Sequence, residues 1–201
     1  MINTISPIDG TVYYTAEEHG TKDIEQALNL AKSAFPLWSN LSIAERAKYI
    51  TAFVEGIVED KNDIALEITW QMGRPLGQSP GEIKGFADRA HYMIGIAEEA
   101  LGDYKVVDAA NPDKRWVERV PIGVVSVLSP WNYPFLTSVN AIVPALMAGN
   151  VVILKHSFQT PLVAERYAKA AAKAGLPKGV FQILHLNHKN TAQLIADSRI
   201  D

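Results

Sequence analysis

The residues whose types could do chemistry are few, and they fall in the second half of the chain. Asn132 stands in Pro130-Trp131-Asn132-Tyr133-Pro134, just after the apolar run Val124-Val125-Ser126-Val127-Leu128. A side-chain amide there is a neutral hydrogen-bond donor. An asparagine between two prolines equally suits a plain turn, and spacing alone does not choose. Lys155 follows a second apolar run, Val151-Val152-Ile153-Leu154, and reads either as a cation at a ligand edge or as solvated surface. His156, His185 and His188 could gather near the ends of the second and third runs, and His185-x-x-His188 invites a metal reading. With no cysteine in the chain and no carboxylate at a matching offset, no metal site is assigned. The missing cysteines also exclude disulfides, iron–sulfur clusters and a thiol nucleophile within these residues.

Such groups need a scaffold that brings them to one edge. The two runs above and Val180-Phe181-Gln182-Ile183-Leu184 are short and almost wholly apolar, as expected of strands covered on both faces of a parallel sheet. Helical stretches fill the gaps; Thr160-Pro161 starts the second, and Gly175 with Pro177 ends it. This is a βαβαβ pattern, the core of a doubly wound sheet, in which ligands bind beyond the carboxyl ends of the strands. The loops after Leu128 and Leu154 therefore carry weight. The Gly-rich G-x-G-x-x-G turn of a dinucleotide site is absent, so the pattern licenses a nucleotide-type fold and no more.

The first hundred residues carry helix punctuation. Thr21 is the expected N-cap of a helix with Ile24, Leu28, Ala31 and Phe35 on one face. Ser42-Ile43-Ala44-Glu45 reads as a capping box, followed by Ile50, Val54, Ile57 and Val58 at helical spacing. A third helix runs from near Asp60 to Met72, where Gly73 and Pro75 stop it. Ser79-Pro80-Gly81-Glu82 reads as a second capping box, opening a fourth helix. Tyr104-Lys105-Val106-Val107 and Trp116-Val117-Glu118-Arg119-Val120 alternate in polarity around Asn111-Pro112-Asp113, the pattern of an antiparallel ribbon. Two strands alone are marginal in water, so the ribbon is expected to pack on something else, a partner subunit being one candidate.

Composition bounds the rest. The 201 residues are 48% apolar and 20% charged, within the ordinary globular range. Scattered basic residues and a net charge of −3 lack the footprint of a nucleic-acid binder. MINTISPIDG has no cationic segment followed by an apolar one, so a cytoplasmic protein is expected. Residues 137–154 tempt a membrane reading, but Asn140, Pro144, Gly149 and Asn150 interrupt them; a buried helix, a turn and a buried strand fit better.

Several stretches fall in a familiar order and spacing. They are Glu118-Arg119-Val120-Pro121-Ile122-Gly123-Val124-Val125, Pro130-Trp131-Asn132-Tyr133-Pro134, Pro144-Ala145-Leu146 with Ala148-Gly149-Asn150, Val152-Ile153-Leu154-Lys155, Gln159-Thr160-Pro161-Leu162 and Ala174-Gly175-Leu176-Pro177-Lys178-Gly179-Val180. This order resembles the NAD(P)-dependent aldehyde dehydrogenase superfamily, with weaker agreement over the whole chain. The resemblance implies oxidation of a small-molecule aldehyde to a carboxylic acid through a cysteine thiohemiacetal and thioester, with NAD or NADP as cofactor. It implies Asn132 as the catalytic oxyanion donor. Ser129, Trp131, Lys155, Ser157 and His188 match cofactor-binding positions, and Tyr133, Leu136, Thr137 and Asn140 match the helix lining the aldehyde tunnel. His156, His185 and His188 are then expected to line or border the adenosine end of the cofactor.

Departures matter as much. Many NAD-preferring members place a glutamate on both ribose hydroxyls; here the run after Lys155 is His156-Ser157-Phe158, which puts NAD preference in doubt. Leu186-Asn187-His188 stands where many members have glycines, and Ala141 stands where some carry a relay lysine. Family members are well over twice this long, so the chain is expected to be the amino-terminal portion of such an enzyme, lacking the catalytic domain with its cysteine and glutamate. The expected architecture is α/β: a Rossmann-like doubly wound parallel sheet with flanking helices and an antiparallel oligomerisation ribbon. Residues 1–102 would be the helical first part of the coenzyme-binding domain, 103–121 the ribbon and 122–201 the βαβαβ part. Partners would be the aldehyde and further copies of the chain, as a dimer or tetramer, with no nucleic acid and no membrane. The alternative is a noncatalytic nucleotide-binding or structural protein that lost the catalytic half.

Overall fold

The computed structural model describes residues 1–105 and 115–201. It begins with an antiparallel hairpin that the sequence reading leaves out, β1 (Ile2–Ile5) and β2 (Val12–Ala16). Five helices follow: α1 (Thr21–Ser39), α2 (Ile43–Glu59), α3 (Lys61–Met72), α4 (Pro80–Gly95) and α5 (Ala97–Leu101). Two capping assignments change. The N-cap of α1 is Gly20, whose amide donates to Asp23 Oδ2 at 2.7 Å, so Thr21 is already helical. The Ser42–Glu45 box forms as expected, with both reciprocal bonds present. The Ser79–Glu82 box does not. Ser79 has helical backbone angles and its hydroxyl meets Thr69 Oγ1 at 3.0 Å, while Glu82 turns to a different helix.

Beyond α5, β3 (Tyr104–Lys105) and β4 (Trp116–Val117) pair antiparallel, Tyr104 opposite Val117. These are the ends of the expected ribbon; its Asn111-Pro112-Asp113 turn lies outside the described residues. The βαβαβ pattern then appears as read: β5 (Val124–Ser129), α6 (Pro134–Met147), β6 (Val151–His156), α7 (Pro161–Lys173) and β7 (Phe181–Ile183), with β5-β6-β7 all parallel. A last helix, α8 (His188–Ile195), was not legible in the sequence; it has one buried residue, Leu194.

α6 and α7 cover one face of the sheet, α1 packs against the other, and α2 and α4 form an outer layer over α6 and α7. Aromatic rings knit those layers: Phe53 lies 5.7 Å from Tyr167, Phe135 5.1 Å from Tyr167 and Phe86 5.8 Å from Phe135, all fully buried. Burying each such ring is worth about 1.5–3 kcal/mol, and the Tyr167 hydroxyl is satisfied by Ser138 Oγ at 2.8 Å. Among the described residues no helix is long and apolar enough to cross a membrane. Residues 137–154 form the helix, turn and strand as read: α6 continues through Pro144, and Gly149, at φ +91°, makes the turn into β6.

Candidate functional site

The carboxyl ends of β5 and β6 lie side by side, Ser129 opposite His156, and Ser157 N–H donates to Ser129 carbonyl at 3.0 Å. Two clusters flank this edge. The first is a cavity of about 350 Å³ lined by Lys155, Ser157, Phe158, Leu186, Asn187 and His188. It brings together three of the expected cofactor residues, Lys155, Ser157 and His188. The Lys155 ammonium lies 4.9 Å from the centre of the Phe158 ring, and its half-buried setting lowers its pKa through lost hydration. A cation, a hydroxyl and an imidazole beside two apolar side chains can hold the sugar and base of a nucleotide. Among the described residues no carboxylate lines this cavity.

The second cluster is the loop before α6. Trp131, Asn132 and Tyr133 are exposed, and Asn132's side-chain amide makes no hydrogen bond to another described residue. Its carbonyl accepts from Arg74 Nη2 at 2.5 Å, and the Arg74 guanidinium lies 4.6 Å from the centre of the Tyr133 ring. Arg74 pairs with Glu82, whose Oε1 accepts from the amides of Phe135 and Leu136 at 3.0 and 3.1 Å. The expected substrate residues share this neighbourhood. Thr137 Oγ1 donates to Tyr133 carbonyl at 2.6 Å, and Asn140 Oδ1 accepts from Arg89 Nη1 at 3.3 Å. The Leu136 carbonyl takes Arg89 Nη1 at 3.2 Å and Asn140 Nδ2 at 3.1 Å.

The remaining expected residues lie apart from the Lys155 cavity. Ser129 is buried, its hydroxyl without a partner among the described residues, and Ser129 and exposed Trp131 sit on the loop at the end of β5, beside that cavity rather than in its lining. The three histidines do not converge there. His156 is fully buried between Pro134 carbonyl and Thr160 Oγ1, at 3.4 and 3.2 Å. His185 is buried too, with Nε2 2.7 Å from Glu165 Oε1 and its ring stacked on His19 at 5.8 Å. That contact holds the Glu165 carboxyl below the usual carboxylate range. Among the described residues no group of three His, Cys, Asp or Glu side chains could hold a metal ion. Arg74, Glu82 and Arg89 were not picked as site residues: each reaches the Asn132 loop or α6 across more than forty positions, and no local pattern marks that reach.

Comparison with known proteins follows the same lines. A family model described as the aldehyde dehydrogenase family matches residues 1–201. A probable succinate-semialdehyde dehydrogenase (NADP(+)) of Synechocystis sp. is 32% identical over 99% of this chain and 43% of its own length. The succinate-semialdehyde dehydrogenase (NADP(+)) of Saccharomyces cerevisiae is 34% identical over 96% of this chain and 39% of its own. The crystal structure of the aldehyde dehydrogenase KauB from Pseudomonas aeruginosa superposes with a TM-score of 0.90 at 32% identity, covering 99% of this chain and 41% of that one. The chain thus spans about two fifths of the length of the relatives it matches.

Proposed function

The chain belongs to the aldehyde dehydrogenase family, and from that premise we propose that it supplies the coenzyme-binding domain and the oxyanion donor of an NAD(P)-dependent enzyme that oxidises an aldehyde to a carboxylic acid. The observation that carries this reading is the free Asn132 amide at the same sheet edge as the Lys155 cavity. When bound, the nicotinamide cofactor supplies the hydride acceptor. Lys155, Ser157 and His188 hold its adenosine sugar, Phe158 and Leu186 wall its base, and Trp131 and Ser129 border its path along the edge. Tyr133, Leu136, Thr137 and Asn140 face the aldehyde. Asn132 donates to the aldehyde oxygen as a nucleophile adds and negative charge collects there. The family's nucleophile is a cysteine thiolate, which these residues do not contain, so the donor acts on a thiohemiacetal whose sulfur comes from outside them.

Residues 1–102 and 122–201 together make the coenzyme-binding domain, and the segment 103–121, described at the paired strands Tyr104–Lys105 and Trp116–Val117, is where subunits associate. Exposed Tyr104, Trp116 and Val117 on its two described strands support that role. At the cavity, Phe158 stands where a carboxylate would repel a 2′-phosphate, and Lys155 offers it a cation. NADP is therefore tolerated here, in keeping with the cofactor named for the Synechocystis and yeast relatives.

The test uses the protein as its gene encodes it, assayed with both cofactors and a panel of aldehydes, beside a Phe158→Glu variant. The reading expects aldehyde-dependent reduction of cofactor, and a shift of kcat/KM toward NAD in the variant. A protein with no such activity contradicts the function, and a variant shifted toward NADP contradicts the placement of the ribose.

A further inference from the structure

Asn132 sits on an exposed loop, yet an oxyanion donor has to be held to within about half an ångström of its working position. Nothing in its own loop does that: Tyr133 is the N-cap of α6 and contributes no side-chain capping bond, and Asn132 is exposed. The restraint comes from α3 and α4. Gly73 ends α3 with φ +78°, a left-handed conformation that favours glycine, and a Cβ there would lie 3.1 Å from Pro7 Cγ. Pro75 biases Arg74 toward extended backbone. Between them, the Arg74 side chain, 10% exposed, is delivered under the loop. Its guanidinium makes three contacts at once: an ion pair with Glu82, a 2.5 Å hydrogen bond to Asn132 carbonyl, and a stack on Tyr133.

Glu82 is fully buried and completes the clamp. Its other oxygen accepts the Phe135 and Leu136 amides, the orphan donors of the first turn of α6. The pair therefore grips the loop and the helix that follows it from one point, with each charge compensated by the other. A planar fork suits this task, because one arm can serve a carboxylate while the other reaches a carbonyl and the plane covers a ring.

We propose that Arg74 and Glu82 are positioning residues that hold Asn132 against the developing oxyanion. The inference rests on the assignment of Asn132 as that donor. Neither residue touches the reacting atoms; they act through the Asn132 carbonyl, the Tyr133 ring and the start of α6.

The test is a double-mutant cycle in the protein as its gene encodes it. Arg74→Lys keeps a cation for Glu82 but loses the fork and the stack. It is expected to lower kcat per folded molecule by about tenfold or more, leaving cofactor Kd nearly unchanged. In an Asn132→Ala background the same substitution is expected to lower kcat by less than about twofold, since the donor it positions is gone. Should Arg74→Lys fail to fold, Arg74→Gln/Glu82→Gln, which leaves no buried charge, is judged on the same two comparisons. A merely structural pair would lower the melting temperature but spare kcat per folded molecule, or lower kcat by the same factor in both backgrounds; either result overturns the proposal. If Asn132→Ala alone retains wild-type kcat, the oxyanion assignment fails and the positioning role falls with it. If Asn132→Ala is impaired and Arg74→Lys is not, the positioning role alone fails.

Discussion

His156 ends β6 beneath the Asn132 loop, and its titration ties pH to the integrity of that edge. Burial holds its pKa far below the ordinary 6.5, at about 4. Lost hydration of the imidazolium outweighs the Pro134 carbonyl, which favours the charged form. As pH falls from 6.5 toward about 4, the unfolded chain takes up this proton and the native chain does not. Stability is therefore lost across that window and is unaffected by this group above it, for a total of roughly 3 kcal/mol. Urea midpoints of wild type and His156→Gln between about pH 8 and pH 4 check this. The variant should lose less stability on acidification; the same acid limb in both proteins would contradict the assignment.

Two helices begin at the ligand edge with proline at their first turn, and both are capped from a distance. α6 takes Glu82, and α7 takes Gln71, whose Oε1 accepts the Leu162 amide at 3.0 Å while its Nε2 donates to Glu67 carbonyl at 3.1 Å. The local N-caps, Tyr133 and Thr160, make no side-chain capping bond. The amides at these two starts are thus satisfied by the protein itself. Gln71 is fully buried, so Gln71→Leu should strand the Leu162 amide and destabilise the fold by about 1–3 kcal/mol. Thermal or urea unfolding of the variant reads it, and an unchanged midpoint would show that the cap carries no energy. These distant caps also mark the boundary of what the sequence discloses. The Ser42–Glu45 box was legible because both partners lie within one turn; Ser79 and Glu82 have the same spacing, but Glu82 pairs with Arg74 and takes backbone amides 53 and 54 positions away. The parallel strands were legible as short, almost wholly apolar runs. β1 and α8 were not, one being four residues long and the other burying only Leu194. At the site, Asn132, Lys155, Ser157 and His188 could be picked from the chain by resemblance, whereas the burial of His156 and the reach of Arg74 exist only in three dimensions.

At the scale of the molecule, one continuous core joins the helical first part to the sheet, running from Leu28 and Phe53 through Phe86 and Phe135 to Leu154 and Tyr167. That core underlies both the Asn132 loop and the Lys155 cavity, so the two candidate clusters are carried by one packed layer. On the outer edge of β5, Asp201 N–H donates to Val124 carbonyl at 3.0 Å, and its carboxylate takes the Val124 amide at 2.9 Å and Lys32 at 2.8 Å. Lys32 and the Val124 amide hold that carboxyl below the usual carboxylate range. A catalytic role for this edge requires that it stabilise charge that exists only during the reaction. The most direct measurement is kcat of Asn132→Ala in the protein as its gene encodes it, taken with cofactor Kd and melting temperature on the same preparation. Loss of the donor should lower kcat by roughly 10²–10³, about 2.7–4 kcal/mol, with cofactor Kd and melting temperature close to wild type. A variant that melts earlier yet turns over at the wild-type rate per folded molecule would make Asn132 a turn residue and contradict the account.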